Sequence, residues 1–359
     1  MSTKRAWSIV NFKFAFALVA IISINSCKQK PKQESQKKSA SAPTKTSTFE
    51  EQVPEMRRDS ISLFDLDEVV ISEGDTAVFV SVSDIDNLPG NSNTPADSVD
   101  RLVIPSLENK KAEETRYFEL KSKYRKRLLM GTGIKETDSL FVYDYQHDLM
   151  QSFAINSVEA VAKLNVYDDE SQPMHSALDY MLGFKLNRTA LTDSINHYYH
   201  KSYVYIGAKN PFVRGQMQPI IWKKIDQKNF PLVSLNAEEK QALLGYGLSG
   251  TYSFKSKENH FYLKEFTKND SFPCEHVVIC DINDKVISSV LLSETESTSP
   301  APMSFLSNNA KSSEQWIGKL LKNRPTLILG FEDVSFGCPV LSYIDQSKGY
   351  VNLNCDNRH

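Results

Sequence analysis

Short runs in which apolar and polar residues alternate, or in which β-branched residues cluster, recur from residue 76 to residue 354. Such runs predict β-strands, because successive side chains of a strand point to opposite faces of a sheet. Many of them are bounded by Gly, Asn, Asp or Pro, which favour turns. The predicted strands are 76–83, 139–145, 149–155, 178–186, 202–207, 250–256, 259–264, 275–282, 285–292, 326–331, 338–344 and 349–354.

Helical periodicity is less common and predicts four segments, at 107–130, 189–200, 237–244 and 313–322. The first has a capping residue in Ser106, a terminating residue in Gly131, and four apolar or aromatic residues at helical spacing: Tyr117, Leu120, Tyr124 and Leu128. Strands and helices do not alternate regularly along the chain. The predicted fold class is therefore α+β, rich in strands, with mainly antiparallel sheet and a few helices.

A new element is expected after Pro231, because Asn236 followed by Glu239 forms a capping arrangement before an apolar run. We place a domain boundary there. Residues 49–230 would form an α+β region and residues 231–359 a β-rich region.

The composition favours a folded body. Hydrophobic residues make up 40% of the 359 residues and charged residues 24%, which excludes a wholly disordered or collagenous chain. At roughly 150 residues per domain, two domains fit this length, although one large β-rich domain also fits.

The N-terminus has the pattern of an export signal. Lys4, Arg5 and Lys13 precede an apolar segment of eleven residues, 14–24. This segment is too short for a bilayer span of about 20 residues, and its basic start is typical of a secretory signal peptide. Residues 1–26 are assigned to the signal.

The residues that end this segment are Ile24-Asn25-Ser26-Cys27. They resemble the lipobox of bacterial lipoproteins, in which an aliphatic residue stands three positions before a cysteine and a small residue stands just before it. The resemblance implies that Cys27 becomes the first mature residue and carries a diacylglycerol, which would anchor the protein to a bilayer without spanning it. The alternative is an ordinary signal peptide with Cys27 free or in a disulfide.

Residues 27–48 are predicted to be the lipidated cysteine and a disordered basic tether. Residues 28–48 contain six lysines and one glutamate among Ser, Gln, Thr and Pro, with no apolar periodicity. Residues 49–359 contain 33 Lys and Arg against 43 Asp and Glu. An acidic body on a basic tether argues against nucleic acid as the partner and suits an anionic lipid surface.

The residues after Cys27 also bear on location. Lys28-Gln29-Lys30 is basic, whereas surface-export tags of similar lipoproteins tend to be acidic at this position. The resemblance thus favours the periplasmic face of the outer membrane over the cell surface.

Four further cysteines remain in a chain predicted to enter an oxidising compartment: Cys274, Cys280, Cys338 and Cys355. The first two lie in one predicted strand, roughly 20 Å apart at about 3.3 Å per residue, and cannot pair with each other unless that strand breaks. Cys338 and Cys355 flank a predicted hairpin, in which Asp345 pairs with Tyr350. A disulfide between them is predicted, with two free thiols as the alternative.

No coherent catalytic set, metal site or cofactor site follows from the motifs. Gly245–Gly250 matches the G-x-G-x-x-G pattern of dinucleotide-binding loops, but a predicted helix precedes it and a strand follows, which is the reverse of the required order. His197 and His200 have a zinc-ligand spacing without the glutamate of the metalloprotease motif. A metal site formed by the cysteines with His276 and His359 is not favoured, because no two cysteines have the CxxC spacing of zinc sites. No G-x-S-x-G motif of serine hydrolases occurs.

Clustered carboxylates and aromatic residues are the remaining candidates for a functional site. The carboxylates cluster at Asp65/Asp67/Glu68, at Asp84/Asp86 and at Asp168/Asp169/Glu170. We interpret them as solvated loops. The aromatic candidates are Tyr198, Tyr199, Phe212, Trp222 and Trp316, which we interpret as core side chains.

The first functional hypothesis is a non-enzymatic, lipid-anchored envelope protein that acts in binding or assembly at the outer membrane, with an envelope protein or glycan as partner. The second is an envelope hydrolase that cleaves glycan or peptide with carboxylates brought together by folding. The third is a glycan-binding module with exposed aromatic rings. A cleft with convergent carboxylates, a row of exposed rings, or a flat apolar patch would distinguish them.

Overall fold

A computed structural model describes residues 57–72, 75–83, 104–165, 179–197, 199–269, 273–303, 314–335, 337–345 and 349–355. These residues belong to one compact unit, which runs from Val53 to His359. The predicted signal peptide and tether, with Cys27, lie outside the described residues.

The described part of the chain contains twenty-one strands and four short α-helices, of 5 to 10 residues. The strands are β1 Arg57–Phe64, β2 Asp67–Ser72, β3 Asp75–Ser81, β4 Tyr117–Glu119, β5 Ser139–Asp144, β6 Leu149–Ala154, β7 Glu159–Leu164, β8 Tyr180–Leu186, β9 Ser202–Gly207, β10 Met217–Pro219, β11 Lys223–Lys224, β12 Gly247–Lys255, β13 Asn259–Thr267, β14 Cys274–Asp281, β15 Val286–Leu292, β16 Thr298–Pro300, β17 Trp316–Gly318, β18 Leu327–Leu329, β19 Glu332–Val334, β20 Val340–Tyr343 and β21 Gly349–Asn354. The helices are α1 Ala112–Arg116, α2 Lys123–Thr132, α3 Asp193–His197 and α4 Ala237–Ala242.

The fold is therefore mostly β, and the predicted α+β class is wrong. All twelve predicted strands are present, but nine further strands, among them β1, β2 and β7, were not predicted, and most of the predicted helices are absent. Only the predicted helix at 237–244 forms largely as expected, as α4, with Asn236 and Glu239 in a reciprocal capping box.

The predicted helix at 107–130 is divided into α1, β4 and α2. Its middle pairs as a strand with β7, where Tyr117 lies opposite Lys163 and the Leu120 amide donates to the Ala160 carbonyl at 2.8 Å. Leu120 and Leu128 are both buried in one core, as their spacing suggested, but they reach it from different elements. Apolar spacing alone does not separate these two arrangements.

The other two predicted helices also fail. Residues 313–322 contain the strand β17, in which Gly318 has φ +155° and lies against the Gln216 backbone. An added Cβ there would come within 2.0 Å of the Gln216 carbonyl oxygen. The segment 189–200 is reduced to α3 and flanking 3₁₀ turns.

The largest sheet, sheet I, has nine strands in the order β10-β17-β18-β20-β21-β1-β9-β5-β6. All pairs in it are antiparallel except β1 and β21, which are parallel. The first and last strands of the described residues thus lie side by side in the middle of this sheet.

Sheet I is strongly curved. Tyr145 directly follows β5 and Trp316 begins β17, and these strands are six positions apart in the sheet. A flat sheet would separate them by about 29 Å at about 4.8 Å per strand. Their ring centroids are only 5.3 Å apart. The concave face therefore encloses its own core, which includes Leu63, Phe212 and Val351.

Two five-stranded antiparallel sheets cover the convex face. Sheet II, in the order β2-β3-β8-β7-β4, shares a core with Leu140 and Val142 of β5. Sheet III, in the order β11-β12-β13-β14-β15, packs Phe261 and Val277 in a core with Ile317 of β17. A two-stranded ribbon of β16 and β19 completes the described sheets.

Sheet II comes entirely from residues before 187 and sheet III entirely from residues after 222, whereas sheet I takes strands from both parts. The boundary predicted near residue 230 stays a prediction.

Candidate functional site

Cys338 and Cys355 form a disulfide, with their Cα atoms 5.5 Å apart, and this prediction is confirmed. The register of the hairpin differs from the predicted one by three residues, because Ser342 and not Asp345 lies opposite Tyr350. The bridge still forms since both cysteines lie just beyond the paired strands, at the open end of the hairpin.

Cys274 and Cys280 are buried free thiols in the unbroken strand β14, and as predicted they do not pair with each other. Burial raises the pKa of both thiols. A higher pKa leaves less thiolate, which makes these cysteines poor nucleophiles and metal ligands.

The glycine-rich segment Gly245–Gly250 links α4 to β12, which confirms a helix-to-strand turn. Gly245 has φ +83°, a conformation that glycine adopts without steric cost. The order of elements is the reverse of a dinucleotide-binding loop.

The two histidines at zinc-ligand spacing do not gain further ligands. Nδ1 of His197 lies 2.7 Å from the Asp193 carbonyl oxygen, and His200 is exposed on the next turn. Within the described ranges, no group of three or more His, Cys, Asp or Glu side chains is arranged to hold a metal ion.

Folding separates the carboxylates that adjoin one another at 65–68. Asp67 pairs with Lys163, and Glu68 pairs with Arg188 at 2.7 Å, so both stabilise sheet II. Asp65 lies near the stacked rings of Tyr145 and Tyr203, and burial raises its pKa to about 6. The clusters at 84–86 and 168–170 lie outside the described residues.

The aromatic candidates are core residues wherever their side chains are described. Phe212, Trp222 and Trp316 are 0–4% exposed. Tyr198 and the side chain of Tyr199 lie outside the described part.

Asp144, His147 and Ser194 form a cluster that no sequence motif indicated, because Ser194 lies 50 residues after Asp144 and 47 after His147. The Ser194 hydroxyl and an Asp144 carboxylate oxygen both contact the same ring nitrogen of His147, at 2.6 and 2.8 Å. A catalytic triad needs the serine and the carboxylate on opposite ring nitrogens. Asp144 also accepts the amides of Gln146 and His147, both at 3.0 Å. The cluster therefore caps the turn between β5 and β6.

Glu265 of β13 and Glu275 of β14 form a pair of neighbouring carboxyl groups in sheet III. They lie directly opposite each other in sheet III, where opposed Cβ atoms are about 4.5–5.5 Å apart. Strand alternation places them on the same face as Leu263 and Val277, whose side chains fill the core below. The two carboxyl groups are thus neighbours at the end of the inner face.

Glu275 is only 1% exposed, and its Oε2 has no hydrogen-bond partner among the described residues. Burial, with repulsion from Glu265 as the second cause, raises the pKa of Glu275 to about 8. Glu275 therefore holds its proton at pH 7. Glu265 accepts a hydrogen bond from the Ser249 hydroxyl at 2.5 Å.

The Glu265–Glu275 pair is the candidate functional site, because the protonated Glu275 can donate a proton and the neighbouring Glu265 can accept a hydrogen bond. Tyr252, which is 7% exposed, lies close enough to Glu265 for the carboxylate to raise its pKa further than burial alone. An acidic residue inside an apolar predicted strand was the available signal for Glu275. Its partner is ten residues away, across a hairpin whose register the sequence did not specify.

A second surface feature lies beside α2. It is a shallow depression lined by three apolar side chains, Leu129, Met130 and Ile134, and by three charged ones, Lys126, Lys135 and Glu136. Met130 is 58% exposed. Apolar patches with a charged rim are typical of surfaces that contact other proteins.

No protein-family model, curated protein or solved structure matches this chain. None of the helices in the described residues has the length and apolar character needed to cross a membrane.

Proposed function

We propose that this protein is an envelope lipoprotein, anchored to the outer membrane through acylated Cys27, whose folded body binds an envelope protein. The proposal rests on the order and spacing of three features in residues 4–27, which are a basic start, an eleven-residue apolar segment and a cysteine. Several acyl chains on one cysteine exceed what stable attachment requires, since each buried methylene contributes about 0.8 kcal/mol.

The surface beside α2 supports a binding role. Apolar and charged side chains line it together, and the exposed Met130 would lose water contact when a partner covers it. The polar clusters Asp144–His147–Ser194 and Glu68–Arg188 have structural roles in turns and between strands.

Labelling the producing cells with a radioactive fatty acid tests the anchor. We expect label on the wild-type chain and none on Cys27→Ala, whereas Cys280→Ala, which removes a different thiol, keeps it. The wild-type chain should also sediment with membranes. An unlabelled wild-type chain would refute the proposal.

The face of the membrane is tested separately. With a body on the periplasmic face, protease added to intact cells should leave the protein uncut, and the same protease should digest it after the outer membrane is permeabilised. Digestion in intact cells would place the body on the surface instead.

A hydrolase is the second candidate, and the Glu265–Glu275 pair favours it. A protonated carboxyl beside a second carboxyl is the acid–base combination of glycoside hydrolysis. Opposed Cβ atoms about 4.5–5.5 Å apart allow the two carboxyl groups to reach the separation of about 5 Å found in retaining enzymes. The burial of Glu275 opposes this reading, because a substrate must reach the acid. Binding is therefore the preferred function.

The two candidates separate by assay. Hydrolysis predicts that the full chain releases soluble fragments from cell-wall glycan or peptide, that Glu275→Gln and Glu265→Gln each reduce the rate by roughly 10²–10⁴-fold, and that Glu258→Gln does not. No release by the wild-type chain, or equal rates from all variants, would eliminate the hydrolase.

A further inference from the structure

Strand β15 is the outer strand of sheet III, beside β14. Its seven residues, Val-Ile-Ser-Ser-Val-Leu-Leu, include no charged residue and no proline. Edge strands of soluble proteins normally carry a charged residue or a proline, which hinders pairing with another strand through the free N–H and C=O groups of the edge. No described segment pairs with the outer side of β15.

The opposite edge of the same sheet shows the usual protection. Strand β11 is only two residues long, and both residues are exposed lysines, Lys223 and Lys224. The contrast between the two edges indicates that β15 is kept free of charge for a reason other than folding of the sheet itself.

Exposed apolar side chains concentrate along this edge. Three of the eight exposed large hydrophobic side chains in the described residues lie between positions 282 and 290: Ile282 at 61%, Val286 at 39% and Val290 at 40%. Val290 lies opposite Val277 and Val286 lies opposite Cys280, and these two residues of β14 point to opposite faces of the sheet. The edge therefore exposes a valine on each face, with Ile282 in the turn before it.

We propose that β15 pairs with β15 of a second copy of this chain, antiparallel and about a two-fold axis at Val290. The sheets of the two copies would then form one continuous ten-stranded sheet. Association through a two-fold axis is the commonest way in which identical chains assemble.

The strand is self-complementary in this register. Its regular part, after the irregularity near Ile287, runs from Ser288 to Leu292 and has Val290 at its midpoint. Val290 would lie against Val290 of the second copy, and each Ser288 would lie opposite a Leu292. Both exposed valines at the axis would lose their contact with water.

Charged side chains flank the strand. Lys285 directly precedes β15, and Glu294 and Glu296 follow it, and all three side chains are exposed. In the antiparallel pair Lys285 of one copy would lie opposite Thr295 of the other, between Glu294 and Glu296. The two acids on the Lys285 side are engaged within their own chain, because Asp281 accepts the amides of Asn283 and Lys285 at 2.8 and 3.0 Å and Asp284 contacts His260 at 2.7 Å.

The pairing predicts a site-specific cross-link in the full chain. Directly opposed residues of an antiparallel pair have Cα atoms about 4.5–5.5 Å apart, which lies within the range for a disulfide. Val290→Cys should therefore yield a reducible band of twice the chain's mass on a non-reducing gel. Ser289→Cys is the matched control, since its two copies would be roughly 8 Å apart and beyond disulfide reach.

A second variant tests the pairing without a cysteine. Val290→Lys places two lysines against each other at the axis, so the purified full chain in detergent should sediment at monomer mass when the wild-type chain sediments as a dimer. The proposal is overturned by a Val290→Cys yield no higher than those of wild type and Ser289→Cys, or by a cross-link to a protein of different mass. A wild-type chain that stays monomeric at high concentration would overturn it as well.

Discussion

Asp59 and Glu275 show that the surroundings of a carboxyl group can shift its pKa in either direction. Asp59 is buried, which opposes its ionisation, but hydrogen bonds from Arg324, from the Ile61 amide and from Tyr343 outweigh that effect and hold its pKa at about 2. Glu275 has no such donors, so burial raises its pKa to about 8. Asp59 therefore stabilises the fold as an ion, and Glu275 does so as a neutral acid.

Because of Glu275, the folded state loses stability relative to the unfolded chain as the pH rises. Its ordinary pKa is 4.5 and its folded pKa is about 8, so the folded state binds one more proton than the unfolded chain between these values. Stability from this group is complete below pH 4.5 and falls by up to about 1.4 kcal/mol per pH unit as pH rises toward 8.

Glu275→Gln should remove this dependence, because glutamine has a similar shape and never ionises. We expect the variant to unfold at higher urea concentration than wild type at pH 9 and to differ little at pH 4.5. Glu238→Gln, an exposed glutamate in α4, serves as the control. Equal alkaline sensitivity in both variants would show that Glu275 is ionised in the folded protein.

At the scale of elements, local alternation identified twelve of the twenty-one described strands and missed nine, and one of the four predicted helices formed largely as expected. A strand such as β5 or β9 shows its alternation within six residues, and all the information is local. The segment 107–130 contains strong helix formers, yet Tyr117–Glu119 becomes a strand because β7 offers an unpaired edge. A neighbouring strand from residues 159–164 cannot be seen in a window of local sequence.

The disulfide joins the last two elements of the chain, β20 and β21. Cross-linking a segment of 17 residues stabilises a protein by about 3 kcal/mol, chiefly by restricting the unfolded chain. The double variant Cys338→Ala/Cys355→Ala should therefore unfold at lower urea concentration. A reducing agent should lower the midpoint of the wild-type chain toward that of the variant and leave the variant unchanged. A further drop of the variant on reduction would point to another bridge.

At the scale of the whole molecule, the pairing of β1 with β21 decides whether sheet I is complete. These strands come from opposite ends of the described residues and lie at the fifth and sixth positions of a nine-stranded sheet. Contacts between such distant segments form late and slowly, because a long loop must close first.

Removing β21 should therefore disrupt the entire body. A chain that ends at Asp345 leaves β1 and β20 without their shared neighbour, and we expect it to lose cooperative unfolding and to aggregate. A chain that ends at Cys355 keeps β21 and the disulfide, and should unfold like the full chain. Cooperative unfolding of the shorter chain, followed by circular dichroism during heating, would contradict this view of sheet I.

The amino-acid sequence by itself determined what depends on neighbours along the chain. It specified twelve of the twenty-one described strands, the capping box at Asn236 and the impossibility of a bridge between Cys274 and Cys280, and it is the basis for proposing that Cys27 is acylated. Only the tertiary structure decided which segments lie side by side. It replaced the helix at 107–130, shifted the hairpin register and brought Glu265 opposite Glu275. Strand pairing and burial depend on residues far apart in sequence, and local patterns hold no information about them.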